Sequence, residues 1–310
     1  MFFGLPLGAW LLAEDGHEVV LAVLSPVPAP GRRRLVRRVG EGRVIDAHGA
    51  DSLDAVVDAR MASLDADLLV SWFWTRRLPS RWLGATRLGG INVHPSLLPR
   101  HRGPDPYFWA IDAGDVRTGV TVHRLIEALD AGPILARQSL ATAGRDAWQL
   151  ARALDRPGLS LLRQVVRQLA AGPVAETAQD EAQATWAPAP EGAELGVDWR
   201  WTTERVLRRI RALAPDPGLA ITLGGVPIFV TRAEAAPGFP EALEPGEAAL
   251  GGLPERVVVR TGDGAVTLVR AVAGLDADRP PGAGLDGADL AGLVGRSGVV
   301  LDSATPEGDG

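Results

Sequence analysis

Two polar side chains near the end of a predicted strand are the first candidates for chemistry. The segment GGINVHPSLLPRHRG, residues 89–103, holds Asn92, the only asparagine of the chain, and His94 two residues later. Residues i and i+2 of a strand project from the same face, and Pro95 favours extended backbone at His94 before it ends the strand. Because ligands of open parallel sheets bind beyond the carboxyl ends of the strands, we expect Asn92 and His94 to enter a binding site together.

An asparagine and a histidine placed in this way can stabilise a negative oxygen. The Asn92 amide and the His94 imidazole each offer an N–H to an oxygen that becomes negative at a tetrahedral centre. A carboxylate is needed to fix the tautomer of such a histidine, and Asp130 of RLIEALDAGPIL is the candidate, since the following Ala-Gly allows a close backbone approach. No Ser, Cys or Lys nucleophile motif is present, which favours direct transfer to an external nucleophile. The alternatives are structural: a strand-end histidine, an asparagine that caps a turn and a turn aspartate.

The residue composition supports a functional role for Asn92 and excludes several classes of protein. All 32 basic residues are arginine, which indicates pressure against adenine-rich codons, and one asparagine that persists under it is expected to have a role. The 310 residues are 46% apolar, enough for one large or two medium domains. The absence of cysteine excludes disulfides and thiol nucleophiles. The net charge is −6, with 11 Arg against 18 Asp and Glu in residues 191–310, so neither half is a general polyanion binder.

Alternating strands and helices predict the fold of the first half. Short apolar runs typical of buried strands occur at residues 18–24, 67–73, 90–95, 118–125 and 132–140. A helix is predicted over 52–64, with Asp51 as its N-cap, and another over 146–173, with a break or kink at Pro157. The pattern predicts an α/β domain with an open, mostly parallel, Rossmann-like sheet and helices on both faces.

The second half is predicted to be a smaller β-rich domain. A stretch rich in Ala, Glu, Pro and Gln over 174–198 indicates a linker, and an amphipathic helix follows at 202–215 with Val206, Ile210 and Leu213 as its apolar stripe. Short strands with turn signals such as Asp263-Gly264 then favour a small β-barrel (OB-like) domain. We therefore expect a catalytic domain at 1–180, a linker at 181–198, a C-terminal domain at 199–300 and a disordered tail at 301–310.

Several kinds of site are excluded because their motifs are missing. FFGLPLG lacks the Gly-x-Gly-x-x-Gly spacing of dinucleotide sites, and no P-loop is present. His94 and His101 lack the spacing of zinc ligands, so no metal is expected. The apolar start has neither the basic region nor the cleavage site of a signal peptide, and no run reaches transmembrane length. The prediction is a cytoplasmic protein that does not bind membranes.

Three motifs in this order resemble the folate-dependent formyltransferase family. They are Asn-x-His-x-Ser-Leu-Leu-Pro at 92–99, a Thr-Gly-Val-Thr strand at 118–121 and Leu-Asp-x-Gly at 129–132. The resemblance implies 10-formyltetrahydrofolate as the formyl donor, a primary amine as the acceptor and no metal. It implies that Asn92 and His94 hold the formyl oxygen as it becomes an oxyanion. Asp130 would then orient His94 and take the amine proton, directly or through water.

The same resemblance implies where the folate would bind. Its pocket would be lined by Ser96, Leu97, Leu98 and Pro99 of the SLLP segment, by Arg76 and Leu78 of the loop SWFWTRRLP, and by backbone around Leu125 and Glu127. Trp72 and Trp74, near the start of that loop, are expected to pack in the core rather than to stack on the pterin.

The C-terminal half resembles the methionyl-tRNA formyltransferases of this family. ATWAPAPEGAELGVDWR and the helix after it match the opening of their C-terminal domain, a type that some sugar-nucleotide formyltransferases also carry. The resemblance implies methionyl-initiator tRNA as the first candidate acceptor, with an amino-sugar nucleotide or another small amine as the alternative. A formyl-folate hydrolase, or a folate-binding protein without turnover, is the alternative of another class.

Departures from the tRNA enzymes bear on the acceptor. The first strand is short, and the acceptor-side segment GPDPYFW, with Asp105, Tyr107 and Trp109, is more like that of relatives that formylate small amines. The C-terminal domain is acidic, so tRNA would have to use local arginine clusters. These are Arg205, Arg208, Arg209 and Arg211, whose alternative is a solvated helix face, and Arg32, Arg33, Arg34, Arg37 and Arg38, whose alternative is a loop tract. A monomer is expected.

Overall fold

The computed structural model describes residues 1–47, 53–252, 254–274, 282–294 and 299–300. The predicted N-cap Asp51 and the predicted tail at 301–310 lie outside this part of the chain. Two compact units are present. The first consists of Met1–Pro106, Thr118–Ala141 and Ala153–Ala187, and the second of Tyr107–Arg117, Thr142–Arg152 and Pro188–Gly310. In the described ranges, no helix has both the length and the apolar character that a membrane span requires.

Strands and helices alternate along the first half of the chain. The strands are β1 (Phe2–Gly4), β2 (Ala22–Leu24), β3 (Val44–Asp46), β4 (Leu69–Trp72), β5 (Gly90–His94), β6 (Arg117–Arg124) and β7 (Ile134–Ala141). The helices are α1 (Pro6–Glu14), α2 (Arg32–Val39), α3 (Leu53–Met61), α4 (Ser80–Gly84), α5 (Pro106–Asp112) and α6 (Ala147–Ala171). β2 is shorter than the apolar run that predicts it. Val19 and Leu21 of that run are buried, but strand pairing with β1 begins only at Ala22.

The seven strands form one sheet in the order β3-β2-β1-β4-β5-β6-β7. Strands β1 to β5 pair in parallel, and β6 runs antiparallel to β5. The predicted mostly parallel α/β sheet is therefore confirmed. Because β1, β4 and β5 are parallel neighbours, their carboxyl ends share one edge of the sheet, and this is where ligands bind in folds of this class.

Apolar strand residues hold this sheet together. Phe3 of β1 and Leu69 of β4 are buried in one cluster with Trp82 of α4, and the rings of Phe3 and Trp82 stack 5.3 Å apart. Gly4 lets β1 approach β4 closely, because a Cβ there would lie 1.7 Å from the carbonyl oxygen of Trp72. The carboxyl end of β1 is thus fixed tightly against the neighbouring strand.

Helix α6 continues through Pro157, so the chain does not break there, and the alternative of a kink stays a prediction. Proline removes one backbone donor from the helix and crowds the preceding turn. Leu154, Leu161 and Leu162 on either side of it are all buried, and the burial of this apolar face outweighs the lost hydrogen bond.

The Ala- and Pro-rich segment predicted as a linker starts as an ordered strip on the first unit. The backbone of Arg102 bonds to Thr185 and Ala187 at 2.9 and 2.6 Å. The Arg102 guanidinium, in turn, donates to Gln179 and Glu181 at distances from 2.8 to 3.1 Å. The predicted segment also contains two short 3-10 helices, Glu181–Gln183 and Gly192–Leu195, and its first part is bound to the first unit rather than a free tether.

The second unit contains an amphipathic helix and an antiparallel sheet. Its further elements are α7 (Thr203–Leu213), β8 (Leu219–Leu223), β9 (Val226–Ala235), β10 (Glu247–Gly251), β11 (Arg256–Arg260), β12 (Ala265–Ala273), β13 (Gly284–Asp286), α8 (Gly287–Val294) and β14 (Val299–Val300). The strand order is β14-β10-β11-β12-β9-β8, with β13 beside β12, and the sheet curls into a half-barrel. The turn at Asp263-Gly264 joins the antiparallel pair β11 and β12, so the predicted β-rich architecture is confirmed.

Candidate active site

Asn92 and His94 share one face at the carboxyl end of β5, as the strand periodicity predicts. The antiparallel register with β6 sets Asn92 opposite His123 and His94 opposite Thr121. Asn92 is half-buried, whereas only 4% of His94 is exposed. Four polar side chains of two paired strands therefore meet at the ligand-binding edge of the sheet.

Asp130 joins this group from the loop between β6 and β7. Its Oδ2 lies 3.5 Å from Nδ1 of His94 and accepts the backbone N–H of Gly103 at 3.0 Å. Gly132 allows the loop to close, because a Cβ there would lie 2.0 Å from the carbonyl oxygen of Arg124. The close backbone approach expected after Asp130 is present, and the three residues predicted to act together do lie together.

The hydrogen bond of His94 differs from the expectation. Its Nε2 lies 2.7 Å from the carbonyl oxygen of His101, and because a carbonyl only accepts, Nε2 carries the hydrogen. The N–H expected to face a formyl oxygen is therefore engaged by the backbone here. His101 itself has a left-handed backbone with a φ of 59°, as does Asp130 with 52°. Non-glycine residues in this conformation store strain, which clusters at functional sites.

The charges of the pair follow from burial and from neighbours. Burial by itself raises the pKa of Asp130, but His94, His123 and the Gly103 N–H outweigh it and lower the pKa to about 2. Burial also lowers the pKa of His94, and the Asp130 carboxylate opposes this shift only in part. At neutral pH the pair is therefore a carboxylate beside an uncharged imidazole.

His123 is part of this site, although its position could not be assigned from the sequence. It is 1% exposed, and its Nε2 lies 3.3 Å from Nδ2 of Asn92 and 3.5 Å from Oδ1 of Asp130. One sequence pattern could have indicated its role. Thr121 and His123 alternate with the apolar residues Val120 and Val122 along the same strand. That alternation puts His123 on the polar face, but it does not identify the strand that pairs with β6.

The SLLP segment, predicted to line the folate pocket, follows β5 directly and is fastened to β6. The hydroxyl of Thr121 donates to the carbonyl oxygen of Ser96 at 2.7 Å and accepts the N–H of Leu98 at 3.2 Å. Leu97 packs against Gly119, because a Cβ at residue 119 would lie 2.6 Å from Cδ2 of Leu97. The carbonyl of Pro99 accepts the N–H of Thr185 at 3.3 Å. The segment is thereby held beside Asn92 and His94.

The other predicted pocket residues lie on two loops that contact each other. Arg77 donates to the carbonyl oxygen of Glu127 at 2.7 Å. Leu78 and Leu125 both pack against the core cluster of the first unit. The Arg76 guanidinium is exposed and lies 4.0 Å from Asp54. Trp72 is buried and Trp74 packs edge-on against Phe3 at 5.4 Å, so both indoles belong to the core as expected.

The three predicted acceptor-side residues are divided between the units. Asp105 belongs to the first unit, where its N–H donates to the carbonyl of Ala187 at 3.0 Å. Tyr107 and Trp109 belong to the second, on α5. The indole N–H of Trp109 donates to the carbonyl of Pro188 at 2.8 Å, so it is engaged by the protein's own backbone.

The arginine cluster of α7 is not a solvated face, which corrects one of its two predicted alternatives. Asp112 is buried and accepts from Arg205 at 2.6 Å and from Arg209 at 2.8 Å. Only 5% of the Arg209 side chain is exposed. Burial favours a raised pKa for Asp112, but the hydrogen bonds from both arginines lower it. Two of the four arginines are therefore bound to one buried carboxylate inside the second unit, and Arg208 pairs with Glu204 at 3.0 Å.

The other arginine cluster lies on helix α2 rather than on a loop tract. Three of its members contact neighbours: Arg32 pairs with Glu41 and Asp46, Arg38 pairs with Glu14, and Arg34 lies over the Trp10 ring. Arg33 and Arg37 are exposed.

The described part of the chain has no group of three or more His, Asp or Glu side chains arranged to hold a metal ion.

Two solved structures share this fold. One is HypX from Aquifex aeolicus in complex with tetrahydrofolic acid. The match covers 95% of this chain and 47% of the HypX chain, with a TM-score of 0.64 and 23% sequence identity. The N-formyltransferase from Helicobacter canadensis, in complex with folinic acid and dTDP-3-aminofucose, matches 86% of this chain and 97% of its own with a TM-score of 0.64 and 13% identity. The fold that they share with this chain is an α/β domain with a mostly parallel sheet, followed by a curled antiparallel sheet.

The sequence matches are more specific. Residues 14–166 match the formyl transferase family, and residues 192–274 match the formyl transferase C-terminal domain. The methionyl-tRNA formyltransferase of Phenylobacterium zucineum (strain HLK1) is 40% identical over 275 residues, which cover 84% of this chain and 85% of the relative. The chain belongs to the formyltransferase family, and it is a formyltransferase enzyme.

Proposed function

We propose that this formyltransferase transfers the formyl group of 10-formyltetrahydrofolate to the amino group of methionyl-initiator tRNA. One observation supports this choice of acceptor. The methionyl-tRNA formyltransferase of P. zucineum is similar to this chain along 85% of its length, including the C-terminal domain. The sugar-modifying N-formyltransferase shares only the fold, at 13% identity. The tetrahydrofolic acid bound to HypX and the folinic acid bound to the Helicobacter canadensis enzyme support a folate donor.

The proposed chemistry is a direct acyl transfer. The acceptor nitrogen attacks the formyl carbon, a C–N bond forms and the formyl oxygen becomes an oxyanion. Asn92 donates an amide N–H to that oxygen, and His94 is the second donor once its Nε2–H leaves the His101 carbonyl. The bond from the formyl carbon to N10 of the folate then breaks. The proton lost by the amine passes to N10 by way of the Asp130 carboxylate, directly or through water.

Binding is assigned to the residues that the family resemblance implies. The proposed folate pocket uses Ser96, Leu97, Leu98 and Pro99 on one side and the loops with Arg76, Leu78, Leu125 and Glu127 on the other. The proposed acceptor side uses Asp105, Tyr107 and Trp109. For tRNA, the exposed Arg33 and Arg37 of α2 are better candidates than α7, whose Arg205 and Arg209 bind Asp112. We further propose that the enzyme works as a cytoplasmic monomer, with its catalytic domain at 1–180 and its C-terminal domain at 199–300.

The test is a competition between acceptors. Purified enzyme with 10-formyltetrahydrofolate is given methionyl-initiator tRNA in one reaction and a dTDP-amino-sugar in another, and the formylated product is quantified. Formyl-methionyl-tRNA is the expected product. Asn92→Ala should reduce the rate by about two to three orders of magnitude, as loss of an oxyanion donor does. Gln168→Ala, which removes an exposed amide on α6, is the matched control and should be unaffected.

Each other outcome contradicts a named part of the proposal. Turnover with the sugar nucleotide alone would assign the enzyme to small amines. Release of formate without an amine would make it a formyl-folate hydrolase. Folate binding with no turnover at all would leave a binding protein and would overturn the catalytic roles of Asn92, His94 and Asp130.

A further inference from the structure

His123 is buried in the site, and nothing in the chemistry above uses it. It lies on β6 directly opposite Asn92 in the antiparallel register. Its ring is 1% exposed and makes contacts at both nitrogens. A histidine enclosed in this way beside the residue that carries the oxyanion role can control that residue's orientation.

The hydrogen bonds of His123 determine which nitrogen carries the hydrogen. Nδ1 lies 2.8 Å from the carbonyl oxygen of Arg124, and because a carbonyl only accepts, Nδ1 is the donor. In the uncharged ring, Nε2 then has a lone pair. Nδ2 of Asn92 lies 3.3 Å from it, so the amide donates one of its two N–H groups to His123. The second N–H remains available for another acceptor.

The orientation of the amide decides whether Asn92 can stabilise an oxyanion. If the amide turned over, its oxygen would face the lone pair on Nε2, and its NH2 group would move away from the position that it now occupies. We propose that His123 is a positioning residue that holds the Asn92 amide with an N–H directed at the reacting formyl oxygen. This inference rests on the proposed function for the identity of that oxygen. The orientation itself does not depend on turnover.

The charged groups around His123 offer a competing arrangement. Oδ1 of Asp130 lies 3.5 Å from Nε2, and the His94 ring lies 6.4 Å away between centroids. With hydrogens on both nitrogens, His123 would donate to Asp130, which is the contact by which it helps to lower the pKa of that carboxyl, and the amide of Asn92 would present its oxygen. Nε2 of His123 carries no hydrogen in the first arrangement and one hydrogen in the second. The 15N NMR signals of the ring distinguish these two states directly.

The first experiment uses the fact that Asn92 is the only asparagine. Enzyme labelled with 15N-asparagine gives one side-chain NH2 signal pair, whether or not the protein turns over. We expect one of the two protons to be shifted downfield and protected from exchange in the wild type. That feature should be lost in His123→Leu and retained in His123→Gln, whose side-chain oxygen can accept. An unchanged pair in His123→Leu, or a His123 ring with hydrogens on both nitrogens in the wild type, overturns the proposal.

The second experiment measures formyl transfer by the same variants. His123→Leu should lower kcat by about tenfold or more, with the KM for 10-formyltetrahydrofolate changed less than about twofold, and His123→Gln should recover most of kcat. His17→Leu, the same substitution at a half-buried histidine of the first unit, is the control. Equal losses in Leu and Gln variants would show a purely structural role. If the wild type forms no product while the NMR signature is present, the proposed function fails and the positioning contact stands.

Discussion

The backbone N–H of Gly103 donates to Oδ2 of Asp130 over 3.0 Å, while the same oxygen lies 3.5 Å from Nδ1 of His94. One carboxylate thus connects the loop after β5 to the histidine at the end of β5. Gln179 holds the Asp130 backbone from a third segment, through its carbonyl at 2.7 Å. The position of the carboxylate is therefore fixed by contacts that are distant from each other in the sequence.

The loop that carries Asp130 should not tolerate a methyl group at residue 132. Gly132→Ala would place a Cβ 2.0 Å from the carbonyl oxygen of Arg124, so that the loop must shift. We expect a loss of about 1–3 kcal/mol in the free energy of unfolding and a large loss of kcat. Gly84→Ala, at a position with open space around it, is the matched control. Urea unfolding and formyl transfer assays measure both effects, and wild-type activity in Gly132→Ala would contradict the role of this loop.

Asp130 should contribute to stability in a defined pH window. Its pKa is about 2 in the folded protein against an ordinary value of 3.8. As the pH falls through this window, the unfolded chain binds the proton first, so the native state loses relative stability. The loss should amount to roughly 2 kcal/mol, complete only near about pH 1 and absent above about pH 5. Urea titrations over this range should show a loss that is larger by roughly this amount in the wild type than in Asp130→Asn, because other carboxyls with a lowered pKa, such as Asp112, titrate in both proteins; identical pH dependence in both proteins would rule out this linkage.

His94 should titrate below the ordinary histidine value of 6.5. Burial lowers its pKa, and the Asp130 carboxylate opposes the shift. Removal of that charge in Asp130→Asn should therefore lower the pKa of His94 further. NMR titration of the ring measures both midpoints, and a midpoint above 6.5 in either protein would contradict the assignment. Formyl transfer should fall on acidification as the substrate amine takes up a proton and loses its lone pair, so a flat rate between about pH 5 and about pH 9 would contradict the proposed attack by the amine.

The buried ion triad of the second unit should matter for stability. Arg209→Ala leaves Asp112, which is 4% exposed, with Arg205 as its remaining partner, and it also removes the donor to the carbonyls of Ala193, Glu194 and Gly196. Buried acceptors that lose their hydrogen-bond donor cost about 1–3 kcal/mol. Arg208→Ala removes a helix-surface pair with Glu204 and should cost less than about 0.5 kcal/mol. Thermal unfolding of the two variants compares them directly, and equal melting temperatures would show that the triad is not stabilising.

Local patterns in the sequence were sufficient for part of this site. The spacing of two between Asn92 and His94 places both side chains on one strand face, and the Pro95 that follows ends the strand where ligands bind. Glycine after Asp130 indicated a close approach, and Gly132 does contact the carbonyl of Arg124 within a distance that excludes a side chain. These inferences needed only strand periodicity and the steric properties of glycine and proline.

The parts that could not be predicted depend on pairing between distant segments. His123 faces Asn92 only because β6 is antiparallel to β5, and no local pattern identifies that neighbour. Arg209 is one residue from the apolar stripe of α7, but its burial depends on Asp112, 97 residues earlier. The use of the His94 N–H by the carbonyl of His101 depends on a left-handed backbone at His101, which its residue type permits but does not predict. In each case the partner, not the residue type, decides the outcome.

The pairing of Asp112 with Arg205 and Arg209 has a consequence for any polyanion that this enzyme binds. Cations that meet phosphates release condensed counterions, so the salt dependence of affinity counts only the charges that reach the phosphates. The two arginines bound to Asp112 do not enter that count, although α7 is one of the two most arginine-rich helices in the sequence. Salt titration of tRNA binding should consequently report on residues such as Arg33 and Arg37, and be insensitive to the charges of the buried triad.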